Sequence, residues 1–456
     1  MTRSLSIRDG IDGFVAQAEA FVRGAEGHGP PWLHKARREA LAAFDAAGFP
    51  GPQDEEWRYT NLAALARTAF ERPGGVSVRA RTDALGLDPK LGPIGFGERK
   101  HNQLVLVNGR FDEAWSNLSL LPRGVQAAGL GALLAREPQV VQPFLGQSTP
   151  VDGNSLVALN AALLEDGAFL HVPKGVAVAE PVYVIHLSVP DGPVALMAHP
   201  RTVLVLDEGS QASVVEVFLG TAHAGFTNAV TEILLQPGAV LDHTKVQDEG
   251  PGTHHIGSVF VRQAASSQSR SHVFSFGADL ARNEISVLLN GEGAGTVLNG
   301  LFCATGSQHV DNHSVIDHAR PRCTSQEFYK GILDGEARGA FDGRIVVRAG
   351  AEKTDAHQKN RNLILSSRAL VESKPQLEIY NNDVRCTHGS TTGQLDDKAL
   401  FYLRSRGLGE PDARALLTFA FGRELVEKVT ADDVFAFVEG RLLTWLSRDG
   451  LRPEAP

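Results

Sequence analysis

Cysteine is scarce in this chain. Among 456 residues there are three, Cys303, Cys323 and Cys386, widely spaced and odd in number. That count excludes a disulfide framework and fits a reducing cytoplasm. Long hydrophobic runs are also missing. No stretch approaches the ~20 apolar residues that span a bilayer, and the start, MTRSLSIRDGIDGF, lacks the apolar segment of an export signal. A soluble, unexported, cytoplasmic protein is expected. No run of lysine and arginine offers a phosphate-binding stripe, and a formal charge of -9 with a pI near 6.0 argues against nucleic acid or an anionic membrane as the main partner. No Gly-x-x-x-x-Gly-Lys-Ser/Thr loop occurs. The Gly-rich GEGAGTVLNG around Gly291 matches neither a phosphate loop nor a dinucleotide fingerprint, so no nucleotide bound by this chain and no ATP hydrolysis by it alone is expected. The length allows a large core and two or three structural units.

What is present centres on Gln376–Leu395, QLEIYNNDVRCTHGSTTGQL. Leu377 and Ile379 alternate with Glu378 and Tyr380, the period of a half-buried strand. Asn381-Asn382-Asp383 is a turn cluster. A second short strand, ended by Gly389, then places Val384, Cys386 and His388 on one face and Arg385 and Thr387 on the other. A thiol and an imidazole on one strand face, ~7 Å apart along the backbone, are good donors for iron or zinc but only two of the four that a closed site needs. Taken alone, a cysteine sharing a face with a valine is more often a small core residue.

Residues 1–100 read as helical. Ile11, Phe14, Val15, Ala18, Phe21 and Val22 form one apolar stripe, and a second helix runs from Pro31 to a stop at Gly48. Trp57 and Tyr59, after the acidic Asp54-Glu55-Glu56, are of types that pack more often than they bind. From Asn102 to Leu395 short apolar strands follow one another between Gly- and Asp-bearing turns. Helical spacing there is confined to Val125–Leu134 and Gln139–Leu145. A strand–glycine turn–strand theme recurs at Gly167, Gly209 and Gly238. Such units, over nearly 300 residues, favour a solenoid over a β-sandwich, which is usually shorter. In QHVDNHSVIDH, His309, Asp311 and His313 share a strand face; flanking Val310, Val315 and Ile316 favour a hydrogen-bonded structural ladder over a metal site. His254 and His255 point to opposite faces. After Asp396 the tail returns to helix, with apolar content high enough that it must cover the solenoid's end, dock a partner, or both.

Several blocks carry a resemblance: EEWRYTNLAAL (Glu55–Leu65), DNHSVIDH (Asp311–His318), EFYKGIL (Glu327–Leu333), GAFDGRIVV (Gly339–Val347), DAHQKNRNLILS (Asp355–Ser366), KPQLEIYNNDVRCTHGSTTGQLD (Lys374–Asp396) and LFYLRSRGL (Leu400–Leu408). Together they are specific and run over nearly the whole chain. The sequence resembles the SufB/SufD family of the SUF iron–sulfur cluster assembly machinery. The entry segment at Glu55–Leu65 favours the SufD type, with a SufB-type subunit as the alternative. The resemblance implies a mainly β fold, a right-handed parallel β-helix over 101–395 between an N-terminal helical domain, 1–100, and a C-terminal one, 396–456, that docks SufC. It implies a non-catalytic scaffold that pairs with SufB through the end of the β-helix and with the SufC ATPase through the tail, and that aids iron entry; a homodimer is the form open to the isolated chain. It assigns Cys386 and His388 to iron or a transient iron–sulfur cluster shared with SufB, which reverses the residue-level reading of Cys386. Thr387 stands where the family commonly has serine and changes neither donor. Cys303 and Cys323 match no functional position.

Two other classes compete. A β-helix enzyme acting on polysaccharide needs Asp, Lys and Arg clustered on an outer coil face, and no such cluster is apparent. A hydrolase built on Cys386 and His388 needs nucleophile and base in hydrogen-bond contact, which ~7 Å of backbone separation disfavours.

Overall fold

The computed structural model describes residues 7–26, 29–74, 101–149, 153–221 and 223–447. Parts of the expected N-terminal helical region (1–6, 27–28, 75–100) and the last residues of the tail (448–456) lie outside the described residues.

The path of the chain follows from one repeated turn. Gly175, Gly209, Gly238, Ser266, Gly293, Arg322 and Lys353 all adopt left-handed backbone, with φ between 57° and 70°. They stack in a column. Each N–H donates to a carbonyl one coil on: Gly209 to Pro237, Gly238 to Ala265, Ser266 to Glu292, Gly293 to Pro321, Arg322 to Glu352 and Lys353 to Asp383, at 2.6–3.1 Å. Glycine adopts this conformation without strain, whereas serine, arginine and lysine do so at a cost of ~1–2 kcal/mol each.

Between these turns the strands alternate between two sheets. From Gln211 on, strands adjacent in sequence lie in different sheets, and each pairs in parallel with the strand one coil away. The front sheet includes Gly225–Leu235, Thr253–Gln263, Leu280–Leu289, His309–His318, Arg338–Val347 and Leu370–Ile379, all in parallel register. The back sheet includes Gln211–Gly220, Val240–Asp248, Gln268–Ser275, Gly295–Ala304, Thr324–Leu333, Asp355–Ile364 and Arg385–Gly393. This is a parallel β-solenoid of about seven coils over residues 182–393. Parallel pairing of alternate strands rules out the antiparallel sandwich. Its interior is an apolar stack that includes Val184, Leu204, Val214, Ile233, Leu241, Val259 and Val287.

Helices cover both flanks. On the front, α1 (Ile7–Ala25) and α2 (Pro31–Ala47) bury Phe14, Phe44 and, from the loop after them, Trp57 against Phe226, Ile256 and Leu280 of the sheet. The second helix starts at Pro31 and ends at Gly48, as its sequence indicates. A short α3 (Ala63–Ala66) follows. On the back, two tail helices lay Leu425, Val426, Phe437, Leu442 and Trp445 over Tyr183, Val215, Val217 and Phe274.

Four expectations are corrected. Val125–Leu134 is not one helix: Gln126–Gly129 pairs as a strand with Gly167–Val172 before α4 (Leu130–Arg136) begins. The second helical stretch shrinks to α5 (Pro138–Val141). The segment before Gly167 is helical, α6 (Ser155–Ala162), and Gly167 is no turn glycine. It starts a strand packed so closely that a Cβ would lie 1.7 Å from the Arg201 carbonyl oxygen. The described residues of the tail do not cover the solenoid's end. After the exposed α7 (Asp397–Ser405), α8 (Glu410–Val426) and α9 (Asp432–Ser447) lie along its side, because the outer face of the back sheet is itself apolar and needs cover.

The front attachment turns on Arg282, which is buried with its guanidinium carbon 3.7 Å from the centre of the Trp57 ring. Its guanidinium donates to Asp311 Oδ2 at 2.7 Å, Glu284 Oε1 at 2.8 Å and the Glu56 carbonyl at 2.9 Å. Thr60 donates to the same Asp311 carboxylate. Burial alone would push the Asp311 carboxyl up, but His313 and Arg282 override it and hold it well below the ordinary range. Arg282→Met should therefore strip the buried Asp311 carboxylate and that of Glu284 of their shared guanidinium and cost about 3–5 kcal/mol, read as a lower urea midpoint. The double variant Arg282→Met/Asp311→Asn should recover part of the loss.

Candidate functional site at the open end of the solenoid

The stack stops at residue 393. Its last coil consists of Leu370–Ile379 and Arg385–Gly393, each at the edge of its sheet, and among the described residues no strand pairs with their outer edges. The turn between them is built as the Asx cluster implies: Asp383 N–H donates to Asn381 Oδ1 at 2.9 Å, and Asn381 Nδ2 donates to the Ala349 carbonyl at 2.6 Å. The final strand does not end at Gly389. It continues to Gly393 because the ladder to Asp355–Ile364 carries on through Gly389–Lys359 and Asn362–Thr392. Around this edge stand exposed apolar side chains, Leu370, Ile379 and Tyr380, and beyond it α7, none of whose residues is buried, with Phe401 at 75% and Tyr402 at 57% exposure.

Cys386 and His388 lie on the inward side of the last strand. Cys386 is half-buried against the interior stack, and His388 is exposed at its end. Burial, with the Asp355 charge next, pushes the Cys386 thiol up, so a thiolate there needs a metal or a partner's cation. In the coil beneath, Cys386 sits over Ala356, Thr387 over His357 and His388 over Gln358. His357 on the outer face is held by Thr387 Oγ1 at 2.7 Å and Asp355 Oδ1 at 3.0 Å. Sequence reasoning assigned His357 no role.

The interior beneath the last coil is polar. Gln358 donates through Nε2 to Glu327 Oε2 at 2.6 Å, one coil further in. Asn360 Oδ1 accepts from Asn362, at 2.6 Å, and from Ser373 and Ser390, at 2.9 and 3.2 Å. These partners escape a linear reading, because they come together only through the coil register.

The histidines of the middle coils form no donor set. His313 Nε2 lies 3.0 Å from Asp311 Oδ1, inside the Arg282 cluster, so this is the structural ladder that its flanking residues favour. His255 is buried against Glu249 at 2.7 Å, while His254 faces the other way. Among the described residues no group of three or more His, Cys, Asp and Glu is placed to hold a metal ion. Cys303 and Cys323 are buried, and burial raises both thiols. The open end thus offers one soft donor, one imidazole and an unpaired sheet edge, with no complete site.

Burial pushes the Glu327 carboxyl up to about 7. A raised folded-state pKa means that the folded chain keeps a proton the unfolded chain releases from about pH 4.5, so this group's contribution to stability falls as pH rises to about 7 and is level above. Glu327→Gln should remove that dependence and raise stability at pH 8 by up to about 3 kcal/mol, measured by urea unfolding at pH 5 and pH 8.

Residues 189–421 match the family described as "SUF system FeS cluster assembly, SufBD core domain", and residues 96–184 match "SufBD protein N-terminal region". An iron–sulfur cluster assembly SufBD family protein of Synechocystis is 31% identical over 434 residues, 93% of this chain and 92% of the relative. The iron–sulfur cluster assembly protein SufD of Escherichia coli is 31% identical over 382 residues, 83% of this chain and 85% of the relative. SufD of Bacillus subtilis is 24% identical over 420 residues, 89% and 92% of the two chains.

Proposed function

The chain belongs to the SufBD family of iron–sulfur cluster assembly proteins, and we propose that within it this protein is the SufD-type scaffold subunit, non-catalytic itself, that pairs with SufB and with the SufC ATPase and aids iron entry. The observation that carries this reading is the open last coil. A row of unpaired backbone donors and acceptors, rimmed by Leu370, Ile379 and Tyr380, suits the matching end of a second solenoid, which would extend both sheets across the junction. Cys386 and His388 supply two donors on the inner face at that junction. SufB supplies the rest, so iron or a nascent cluster is a transient cargo shared by two chains. The chain divides as 1–100, 101–395 and 396–456, and the last part carries the SufC dock. Exposed Phe401 and Tyr402 on α7 support that assignment, since α8 and α9 are already committed to the solenoid's flank.

Two experiments test this. His388→Ala should leave the isolated protein's melting temperature and SufB pairing nearly unchanged while strongly reducing iron or cluster content in the complex, with Cys386→Ser the milder change. A melting temperature lowered by several degrees with normal iron would discard the metal role. The double variant Phe401→Ala/Tyr402→Ala should keep its melting temperature, because neither ring is buried, and lose SufC in a pull-down; retained SufC would move the dock elsewhere.

A further inference from the structure

Gln358 has an unfinished hydrogen-bond set. Its side chain is 1% exposed, and its amide nitrogen is committed to Glu327 Oε2 at 2.6 Å. With Glu327 ionised and able only to accept, that bond fixes which way the amide points. Its other atom, Oε1, is buried and has no partner among the described residues. A buried carbonyl oxygen without a donor costs ~1–3 kcal/mol and is rarely left so without reason. The residue directly over it in the next coil is His388, whose side chain shares the inner face of the solenoid. Side chains stacked in register on adjacent parallel strands are spaced ~4.8 Å apart, within reach of a side-chain hydrogen bond. An imidazole N–H is the donor that Gln358 lacks.

We infer that Gln358 is the positioning residue for His388: its Oε1 accepts one ring N–H, which fixes the tautomer and leaves the lone pair of the other nitrogen free to bind metal at the open end. Histidines that bind metals generally need such a partner, because a ring that donates through one nitrogen is oriented and made more basic at the other. Glu327 acts one step further back, by locking the amide so that oxygen rather than nitrogen faces the last coil. The column Glu327–Gln358–His388 crosses three successive coils in strict register. This inference rests on the proposed role of His388 as a ligand.

The test uses the assembled complex with SufB and SufC. Gln358→Met removes the acceptor at similar volume, and Gln358→Glu keeps an acceptor. Ferrous iron titrations should show affinity about 10–100-fold weaker for Gln358→Met and within a few-fold of wild type for Gln358→Glu. In the zinc-loaded complex labelled with 15N-histidine, His388 should show one fixed tautomer in wild type and Gln358→Glu and lose it in Gln358→Met. Unchanged iron affinity or an unchanged His388 tautomer in Gln358→Met would overturn the inference. Should Gln358→Met fail to fold with Glu327 unpartnered, Glu327→Gln/Gln358→Met removes that charge, and the same two readouts decide. His388→Ala is measured alongside. If it binds iron as wild type does, the ligand reading itself falls. If it loses iron while Gln358→Met does not, only the positioning role falls.

Discussion

Strict register between coils is the constraint from which the rest of this molecule follows. The left-handed turn column pins each coil to the next by a backbone hydrogen bond, and the parallel ladders carry that alignment along both sheets. Once register is fixed, each inward residue stands over one residue of the neighbouring coil. Apolar columns then give a continuous core, and polar columns give hydrogen-bonded stacks. Register also makes the end of the stack an incomplete object. A parallel ladder satisfies each coil's backbone with the next, so the last coil must leave one edge unpaired. The open edge at Leu370–Ile379 and Arg385–Gly393 is therefore a direct consequence of the architecture.

The helices are held to the flanks by apolar burial and by polar groups placed deep in each contact. Arg282 ties the front sheet to the Glu56–Thr60 segment. Arg201 and Glu232, both buried, pair at 2.7 Å, and Glu232 also accepts from Gly146 N–H at 2.9 Å. On the back, Lys330 donates to the Phe421 carbonyl at 2.7 Å and pairs with Glu424, Arg441 pairs with Asp248, and Tyr183 donates to Asp433. Desolvating these groups offsets much of what their pairing contributes, so their larger effect is on placement. A helix that slides by one turn keeps much of its apolar contact but strands a buried charge. Both flanks are fixed in this way, and the open end stays free.

Much of this was legible in the sequence. The recurring strand–glycine–strand unit indicated the solenoid, and Gly209 and Gly238 do sit in the left-handed turn column. Pro31 and Gly48 bounded a helix correctly, and alternation placed Cys386 and His388 on one strand face. These inferences succeed because they depend on forces between residues a few positions apart: backbone sterics at glycine and proline, and the two-residue period of a strand.

What the tertiary structure decided is everything that links one coil to another. Each coil takes roughly 30 residues, but the turns differ in length, so no fixed offset reveals that His388 stands over Gln358 and Gln358 over Glu327. Nor does periodicity tell a helix that caps a solenoid from one that lies along its side; the exposed apolar face of the back sheet made that choice for α8 and α9. The segment before Gly167 shows the same limit in reverse. Ser155–Ala162 is buried on most of its surface, with Asn160 its one polar residue past the first position, and a helix of that kind has no polar face to announce itself. Local chemistry determined the elements of this chain. Long-range register, a property of hydrogen-bond ladders between distant residues, determined what those elements bring together.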